Sequence, residues 1–270
     1  MPVEHIVMYS GGLGSFWTAK WLIEKEGIKP RLLFADTEME DEDLYRFLAE
    51  SSKVLGCELV KITKGKTPWD IFNEVRFLGN TRIDPCSMHL KRNFCDQWIA
   101  ENYTPETVVV CVGIDASEAH RIRNLAPRKL PWVYRAPLVE AEFFFPPREQ
   151  KLQMVREAGV KPPRLYAMGF QHNNCGGFCV KAGLAQFKLL YERMPERYEW
   201  HVQQERKLRA AVPGVRPFLR KTVNGKLNYV WLEEYREFLR GGEELTGEER
   251  FDWGGCGCAL ENTEEAGVPE

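Results

Sequence analysis

The sequence predicts an α/β protein in which a mostly parallel sheet is covered by helices on both faces. Two observations support this fold class. The first 113 residues alternate short, β-rich apolar runs with amphipathic stretches of helical length, a pattern typical of such sheets. The run TVVVCVG at 107–113 is apolar enough to be buried on both faces, as central parallel strands are. We therefore expect an α/β domain over 1–140, with a mainly helical, cysteine-containing extension over 141–270 packed on it.

The strands and helices expected in the first part follow one another along the chain. The expected strands lie at 5–9, 31–35, 57–62 and 107–113. The expected helices lie at 16–27, at 40–55, after Pro68, and at 87–101. Strands that alternate with helices pair in parallel, because each helix returns the chain to the same edge of the sheet. The result is a Rossmann-like, doubly wound arrangement, which binds ligands beyond the carboxyl ends of its strands.

The rest of the chain predicts two helices, a hairpin and an anchored tail. The helices, at about 180–193 and 196–210, are separated by Pro195, a residue favoured in the first turn of a helix. Asn224-Gly225 is typical of a two-residue hairpin turn. The apolar FDWGGCGCAL, at 251–260, is expected to be anchored on the protein. The segment 121–164 has ten Lys/Arg against four Asp/Glu, so it is either a solvated connection or an anion-binding face.

The composition excludes several classes of protein. With 44% hydrophobic and 28% charged residues the chain is of ordinary globular type. No apolar run approaches the roughly 20 residues of a membrane span, and the N-terminus lacks the sections of a secretory signal. The net charge of −2 does not demand a nucleic-acid partner, although local charge keeps one as a candidate. We expect a cytoplasmic protein without a membrane partner, and the sequence does not specify its oligomeric state.

A glycine-rich loop follows the first expected strand. It reads Ser10-Gly11-Gly12-Leu13-Gly14-Ser15 and leads into a helix. Glycines let backbone N–H groups converge on an anion, and the helix N-terminus adds positive potential. The loop is neither a Walker loop nor a dinucleotide fingerprint, and turns of this kind also occur without phosphate. Its place after the first strand and its flanking serines favour phosphate binding.

This loop is the first of five motifs that occur in order between residues 9 and 138. They are YSGGLGS at 9–15, LFADT at 33–37, DPCS at 84–87 with Leu90-Lys91, Gly113-Ile114 with Ser117-Glu118 and Arg121, and YRAPL at 134–138. Together they resemble the PP-loop superfamily and, within it, the phosphoadenosine phosphosulfate (PAPS) reductase-like family, also described as adenine nucleotide alpha hydrolase-like. Gly14 and Asp115 stand where many members have Asp and Arg. The Glu-Cys-Gly-x-His tail of the reductases is missing.

The resemblance implies an adenine-nucleotide ligand, either ATP, PAPS or adenylyl sulfate, and a set of residues that would bind it. Asp36 and Thr37 would flank the nucleoside, and Asp36 or Glu38 would help to hold Mg²⁺. Lys91 and Arg121 would act on the bound substrate. The phosphates would lie on Ser10, Gly11, Gly12, Leu13, Gly14 and Ser15, with Gly113 nearby.

The eight cysteines fall into two groups. Without a secretory signal they are expected to be reduced. Cys57, Cys95 and Cys111 lie in apolar or helical settings, so we interpret them as core thiols. The other five lie in polar or glycine-rich settings, which suit metal binding. They are Cys86, Cys175, Cys179, Cys256 and Cys258.

Two ligand sets are open for these five cysteines. Iron–sulfur members of the resembled family use a Pro-Cys segment and a later cysteine pair. This implies a [4Fe–4S] cluster on Cys86, Cys175, Cys179 and one of Cys256 or Cys258. The alternative is a structural zinc ion on the four cysteines from 175 onward. Cys256 and Cys258 are also candidate catalytic nucleophiles if the metal leaves one of them unbound.

Three functions follow as hypotheses. The first is a PAPS-reductase-like enzyme that performs sulfur transfer or sulfonucleotide reduction beside a cluster. The second is an ATP pyrophosphatase that activates a nucleic-acid group for modification and has a structural zinc site. The third is a nucleotide-binding module without catalysis. Candidate partners, besides the nucleotide, are a reductant protein or sulfur donor and a nucleic acid.

Overall fold

A five-stranded parallel sheet forms the centre of the protein in the computed structural model, which describes residues 3–80, 83–223, 226–242 and 244–254. The strand order is β3-β2-β1-β4-β5. The strands are β1 (Glu4–Met8), β2 (Arg31–Asp36), β3 (Leu59–Thr63), β4 (Val108–Cys111) and β5 (Val133–Arg135). The chain order reverses between β1 and β4, so the crevice at their carboxyl ends is a topological switch point. The predicted fold class is confirmed.

Helices connect these strands and form the second part of the chain. They are α1 (Leu13–Lys25), α2 (Glu42–Leu55), α3 (Pro68–Val75), α4 (Pro85–Ser87), α5 (Asn93–Asn102), α6 (Ala119–Leu125), α7 (Pro137–Glu140), α8 (Arg148–Glu157), α9 (Arg164–Ala167), α10 (Leu184–Arg193), α11 (Pro195–Ala211) and α12 (Leu232–Arg240). A π-helical stretch, Met88–Arg92, joins α4 to α5. In the described part of the chain, none of these helices is both long and apolar enough to span a membrane.

Apolar clusters cover both faces of the sheet. Neighbouring residues of β1 point to opposite faces, as the two-residue period of a strand requires. Val7 packs with Phe16 and Phe47 in a cluster that also includes residues of α8. Ile6 packs with Ile99 of α5 in a second cluster on the other face. Helices therefore lie on both sides of the sheet, as predicted.

The segment 121–164, expected as a connection, contains regular structure. It supplies β5, which pairs with β4 and extends the sheet, and α8, which lies beyond residue 140 and packs against the sheet. β5 has only three residues, too few to show a strand period. α8 buries only Leu152 and Val155, so its sequence shows a weak apolar stripe.

The second part of the chain confirms the predicted helices and hairpin. Pro195 is the first residue of α11, directly after α10. Strands β6 (Leu219–Val223) and β7 (Lys226–Val230) pair antiparallel, while Asn224 and Gly225 lie outside the described residues. α10, α11, α12 and the hairpin share an apolar cluster with Trp69 and Phe72 of α3. This cluster joins the second part to the edge of the α/β part.

Candidate nucleotide and thiol sites

The glycine-rich loop leads from β1 into the first turn of α1. The backbone N–H of Gly12 points to Ser10 Oγ at 3.3 Å. Ser15 Oγ donates to the carbonyl oxygen of Gly12 at 3.0 Å. The two serine hydroxyls are 3.5 Å apart. N–H groups in the first turn of a helix have no partner within the helix, so this loop can offer backbone donors and hydroxyls to one anion.

Gly14 and Gly113 bring the loop into backbone contact with the end of β4. A Cβ atom at Gly14 would lie 2.3 Å from the carbonyl oxygen of Gly113, and one at Gly113 would lie 2.5 Å from the nitrogen of Ser15. Neither position accepts a side chain unless backbone moves. The Asp that many family members carry at position 14 therefore does not fit this loop. Gly113, two residues after β4, is the other glycine that this contact requires.

A cavity of about 560 Å³ lies beyond the ends of β1 and β4. We call it the loop cavity. Its volume is typical of a small-molecule site. The predicted residues on its wall are Ser10, Gly12, Leu13, Gly14, Ser15, Gly113 and Arg121. Gly11 is not on the wall; its backbone has a φ of +71° and packs against Leu44.

Much of the wall comes from segments that the sequence did not connect with the loop. These wall residues include Phe145, Lys151, Tyr166, Gln171, His172, Asn173 and Asn174. They reach the loop because α8 and the segment after α9 pack over the switch point. Nothing in the sequence of either segment resembles a nucleotide motif, so only the packed fold reveals them.

The acidic groups on this wall are engaged by the protein itself. Asp115 accepts hydrogen bonds from the backbone N–H groups of Ser117 and Phe145, both at 3.0 Å. Glu118 is paired with Arg121. Both acids therefore have donors of their own, which reduces their repulsion of an anionic ligand.

Lys151 is the cation of this wall that has no ion pair within the described residues. Its Nζ lies 4.5 Å from the centre of the Phe145 ring. Burial lowers the pKa of Lys151, and the charges of Asp115 and Glu118 oppose that shift. A partly buried ammonium group held in this way is available to an anionic group of a ligand.

Asp36 and Thr37 end β2 but do not line the loop cavity. Asp36 is buried, accepts a hydrogen bond from Tyr45 Oη at 2.8 Å and pairs with Lys61 Nζ at 2.6 Å. Thr37 lines a different cavity. The roles of Asp36 and Thr37 beside a nucleoside, and of Asp36 or Glu38 beside Mg²⁺, stay predictions.

A second, much smaller cavity contains three of the predicted metal-binding thiols. Its volume is about 20 Å³, and we call it the thiol cavity. Lys91 lies here and not in the loop cavity. The wall is formed by Thr37, Pro68, Asp84, Cys86, Ser87, Lys91, Cys175 and Cys179. The structure therefore brings together thiols that are 89 residues apart in the sequence, from 86 to 175.

Glu40 connects the parts of the thiol cavity, and the sequence did not single it out. Its buried carboxylate accepts hydrogen bonds from Thr37 Oγ1 at 3.0 Å, from Lys91 Nζ at 3.1 Å and from the backbone N–H of Cys175. Lys91 Nζ is also 3.9 Å from Cys175 Sγ. Three separate segments thus meet at one carboxylate. Glu40 stands among other acids before α2, where a solvated helix start was the natural interpretation.

The backbone at Cys175 is left-handed over three consecutive residues. The φ angles are +49° at Cys175, +59° at Gly176 and +89° at Gly177. A Cβ at Gly176 would lie 1.9 Å from Nη2 of Arg197, a group that donates to the carbonyl oxygens of Met39 and Glu40. The glycine is needed because the arginine passes directly over the turn. A cysteine at positive φ is uncommon, and such strain is concentrated at functional sites.

A short segment links the two cavities. Asn173 lines the loop cavity, and its Nδ2 donates to the carbonyl oxygen of Gly11 at 3.3 Å. The other side-chain atom, Oδ1, is buried and has no hydrogen-bond partner among the described residues. Two residues later, Cys175 lines the thiol cavity. The phosphate loop and the cysteine turn are therefore fastened to the same stretch of chain.

The tail is anchored as far as Gly254. Leu184 N donates to Asp252 Oδ2 at 3.2 Å, and Ala185 N donates to the Asp252 carbonyl at 3.0 Å. The predicted candidates Cys256 and Cys258 lie outside the described residues. Within those residues, no group of three or more His, Cys, Asp or Glu side chains is arranged to hold a metal ion. Cys57, Cys95 and Cys111 are buried, as expected of core thiols.

Comparisons with known proteins give matches in structure only. No protein-family model and no curated protein matches the chain. A predicted subunit of tRNA methyltransferase from Methanocaldococcus jannaschii has 20% identity and a TM-score of 0.35, over 59% of this chain and 90% of that one. A phosphoadenylyl-sulfate (PAPS) reductase from Candida auris, in complex with phosphate, has 14% identity and a TM-score of 0.44, over 62% and 78%. Neither likeness is close enough to carry an argument, so the Rossmann-like assignment rests on the observed sheet order.

Proposed function

We propose that this chain is a PAPS-reductase-like enzyme of PP-loop type that binds an adenine nucleotide in the loop cavity. One observation supports this most: the glycine loop meets Gly113 in backbone contact at the switch point, beside a cavity of about 560 Å³. Doubly wound sheets bind ligands at this point, and a helix N-terminus there favours phosphate. The five motifs that resemble the family supply the adenine nucleotide as the ligand class.

The proposed chemistry is sulfonucleotide reduction or sulfur transfer. In a reduction, a thiolate attacks the sulfur, the bond from sulfur to the nucleotide's phosphate oxygen breaks, and the nucleotide leaves. A second thiol or a reductant protein supplies the electron pair that releases sulfite. The loop at 10–15 would bind the leaving phosphate, and Lys151 or Arg121 would bind the anionic group that reacts. Cys256 and Cys258 remain the candidate nucleophiles.

We further propose a [4Fe–4S] cluster held by Cys86, Cys175, Cys179 and one of the two tail cysteines. The shared cavity of the first three thiols supports this set. These cysteines would hold the cluster through their thiolates, the side chains that bind iron–sulfur clusters in proteins. When bound, the cluster would supply electrons or sulfur. The thiol cavity is of the order of one water molecule in volume, so a cluster would displace the side chains that line it.

The tail supports the fourth ligand indirectly. A Cβ at Gly254 would lie 2.2 Å from the carbonyl oxygen of Lys181, so Gly254 packs against the chain just after Cys179. The next cysteine in the sequence is Cys256. Structural zinc on Cys175, Cys179 and the two tail cysteines is the competing proposal. Of these four ligands, Cys175 and Cys179 lie within the described residues.

Calorimetric titration with ATP, adenylyl sulfate and PAPS tests the nucleotide proposal. The parent should bind at least one of them. Ser15→Ala should weaken that binding about 10- to 100-fold, because it removes a donor to a charged group worth about 1.5–3 kcal/mol. Ser52→Ala, a serine on α2 whose hydroxyl bonds its own helix, is the matched control. Failure of the parent to bind any adenine nucleotide would contradict the proposal.

Purification without oxygen, followed by iron, sulfide and zinc analysis, tests the cluster. We expect iron and acid-labile sulfide in equal amounts, lost in Cys175→Ser and retained in Cys95→Ser. One zinc ion per protein molecule, without iron, would contradict the cluster and support the structural zinc site. Pyrophosphate release from ATP, stimulated by nucleic acid, would then favour the pyrophosphatase hypothesis. Tight nucleotide binding without turnover of any sulfur donor or acceptor would favour the module without catalysis.

A further inference from the structure

A strongly basic stretch lies outside both cavities. Residues 206–231 contain seven Lys/Arg and no Asp/Glu, although the whole chain has a net charge of −2. The stretch runs from the end of α11 through the β6–β7 hairpin. Such clustering creates a local positive potential that the overall charge conceals.

The hairpin turns one of its faces to solvent. The strand register places Arg220 opposite Tyr229 and Thr222 opposite Leu227. All four are exposed, with Leu227 at 59% and Tyr229 at 55%. On the opposite face Leu219 is 1% exposed, whereas Lys226 and Asn228 of β7 are exposed as well. We call Arg220, Thr222, Leu227 and Tyr229 the ribbon face.

The charges around the ribbon face are largely available to a partner. Arg220 and Lys226 form no ion pair within the described residues. The nearby acids are already engaged, because Glu233 pairs with Arg206 and Glu234 accepts from the backbone N–H of Trp231 at the start of α12. Within the described residues Glu233 matches Arg206, and the unmatched charge of this surface is that of Arg220 and Lys226.

Protection of strand edges does not explain this composition. Lysines on an exposed hairpin prevent it from pairing with other strands. Outward-facing Leu227 and Tyr229 have the opposite effect, since exposed apolar strand residues promote association. Phe218, which directly precedes β6, packs on Phe187 with ring centres 5.3 Å apart. A ribbon anchored at this end that exposes apolar and basic groups together is suited to recognition.

We propose that the ribbon face docks duplex DNA. The major groove of B-DNA admits a two-stranded β-ribbon. In that groove arginine pairs with guanine, threonine bonds to base edges, and apolar side chains contact the thymine methyl group. Lysines beside the ribbon would contact phosphates. Single strands are bound by successive aromatic platforms, and Tyr229 is one aromatic among four residues. A-form RNA has a major groove too narrow for side chains to read.

This surface does not depend on the nucleotide proposal. It rests on the hairpin and the charge of 206–231, so a negative nucleotide titration leaves it standing. If both proposals hold, the surface brings DNA to the enzyme.

Fluorescence anisotropy of the full chain with a short labelled duplex tests the surface. The logarithm of the affinity should fall linearly with the logarithm of salt concentration between about 50 and 200 mM. The double variant Arg220→Gln, Lys226→Gln should reduce the magnitude of that slope by about 1, because Lys226 contacts a phosphate, and should also weaken binding about tenfold or more through the lost arginine contact to a base. The control Lys53→Gln, Lys161→Gln removes the same charge from exposed positions elsewhere and should keep the parent slope.

Tyr229→Ser provides a second, independent readout. It should weaken binding at every salt concentration while the slope stays that of the parent, because no charge is lost. If circular dichroism shows that the double variant is unfolded, Tyr229→Ser alone tests the proposed DNA surface. Parent-like binding by Tyr229→Ser and the folded double variant would overturn the proposal. So would equal or tighter binding to single-stranded DNA, to duplex RNA or to phosphatidylserine vesicles.

Discussion

The loop cavity and the thiol cavity are built in opposite ways. The phosphate end of the loop cavity is made of backbone, where Gly14 and Gly113 touch because neither has a side chain. The thiol cavity is made of side chains from distant segments, fastened together by the carboxylate of Glu40. The loop cavity depends on the absence of side chains at Gly14 and Gly113, and the thiol cavity depends on the buried charge of Glu40. Substitutions that damage one should therefore spare the other.

Loss of the carboxylate at Glu40 should have the largest effect on stability. Glu40→Ala leaves the Lys91 ammonium without its buried counter-charge, and breaking a buried pair in this way costs about 3–5 kcal/mol. Urea denaturation measures the change in free energy of unfolding. Glu192→Ala, whose ion pair with Lys188 is exposed, should change it by less than about 1 kcal/mol. Equal losses in the two variants would refute the central role of Glu40.

An added methyl group tests the backbone contact. Gly14→Ala forces the loop away from β4, because its Cβ would lie 2.3 Å from the Gly113 oxygen. Overpacking of this kind costs about 1–3 kcal/mol. Since about 1.4 kcal/mol is tenfold in affinity, calorimetry should show a loss of nucleotide binding of about 5- to 150-fold. Gly241→Ala, where the nearest atom would be 3.4 Å away, should bind like the parent.

Two titratable groups of α11, His201 and Glu205, are buried. His201 is fully buried, accepts a hydrogen bond from Trp69 Nε1 at 3.0 Å and stacks on Phe178 at 4.1 Å, next to Cys179. Burial lowers the pKa of His201 well below 6.5. Burial raises the pKa of Glu205 to about 8. The two groups therefore respond to pH in opposite senses.

Neutral His201 contributes its full stabilisation of the fold above pH 6.5. This contribution is lost as the pH falls below 6.5, because the histidine of the unfolded chain binds a proton there while buried His201 does not. The contribution of protonated Glu205 is complete below pH 4.5 and is lost as the pH rises to about 8. Between pH 4.5 and 6.5 these slopes oppose each other.

Single substitutions should reveal how each of the two groups makes the free energy of unfolding depend on pH. Relative to the parent, the stability of Glu205→Gln should rise with pH between 4.5 and 6.5, and that of His201→Gln should fall. For each variant, the free energy of unfolding relative to the parent should change by at most about 1.4 kcal/mol per pH unit. Thermal or urea denaturation across that range measures both. Nucleotide affinity, which depends on the loop cavity, should stay unchanged in both variants; a loss there would show that the two regions are not separable.

The smallest expected effect concerns the segment that joins the cavities. Asn173→Ala removes the hydrogen bond to the Gly11 carbonyl, worth about 0.5–1.5 kcal/mol. We expect a loss of nucleotide affinity of that order. Asn102→Ala, an exposed asparagine that bonds only its own helix, should leave affinity unchanged. An unaltered affinity in Asn173→Ala would remove Asn173 from the binding site.

The sequence was most informative where function depends on neighbouring residues. Contiguous glycines and serines reveal the loop at 10–15, and period and length reveal β1 to β4 and their helices. Gly113 was placed near the loop through the family resemblance, and the structure shows the two in backbone contact. The thiols at 86, 175 and 179 were grouped through the family resemblance, and the shared cavity confirms that they lie together.

What the sequence could not predict depends on packing between distant segments. Glu40 acquires its role only when Lys91 and Cys175 arrive beside it. Lys151 and Asn173 lie in segments without any motif, and they reach the loop through the packing of α8 and of the chain after α9. The three-residue strand β5 is too short to show a period. In each case the role of the residue or strand depends on contacts between segments far apart in the sequence, which the local sequence pattern does not show.

The link between Asn173 and Cys175 acts as a tether of fixed length. One end is fastened to the carbonyl of Gly11 and the other to the carboxylate of Glu40. Two residues of chain span at most about 7 Å, so these anchor points cannot separate further than the tether allows. The separation between the phosphate loop and the cysteine turn is therefore limited by a stretch of chain only three residues long.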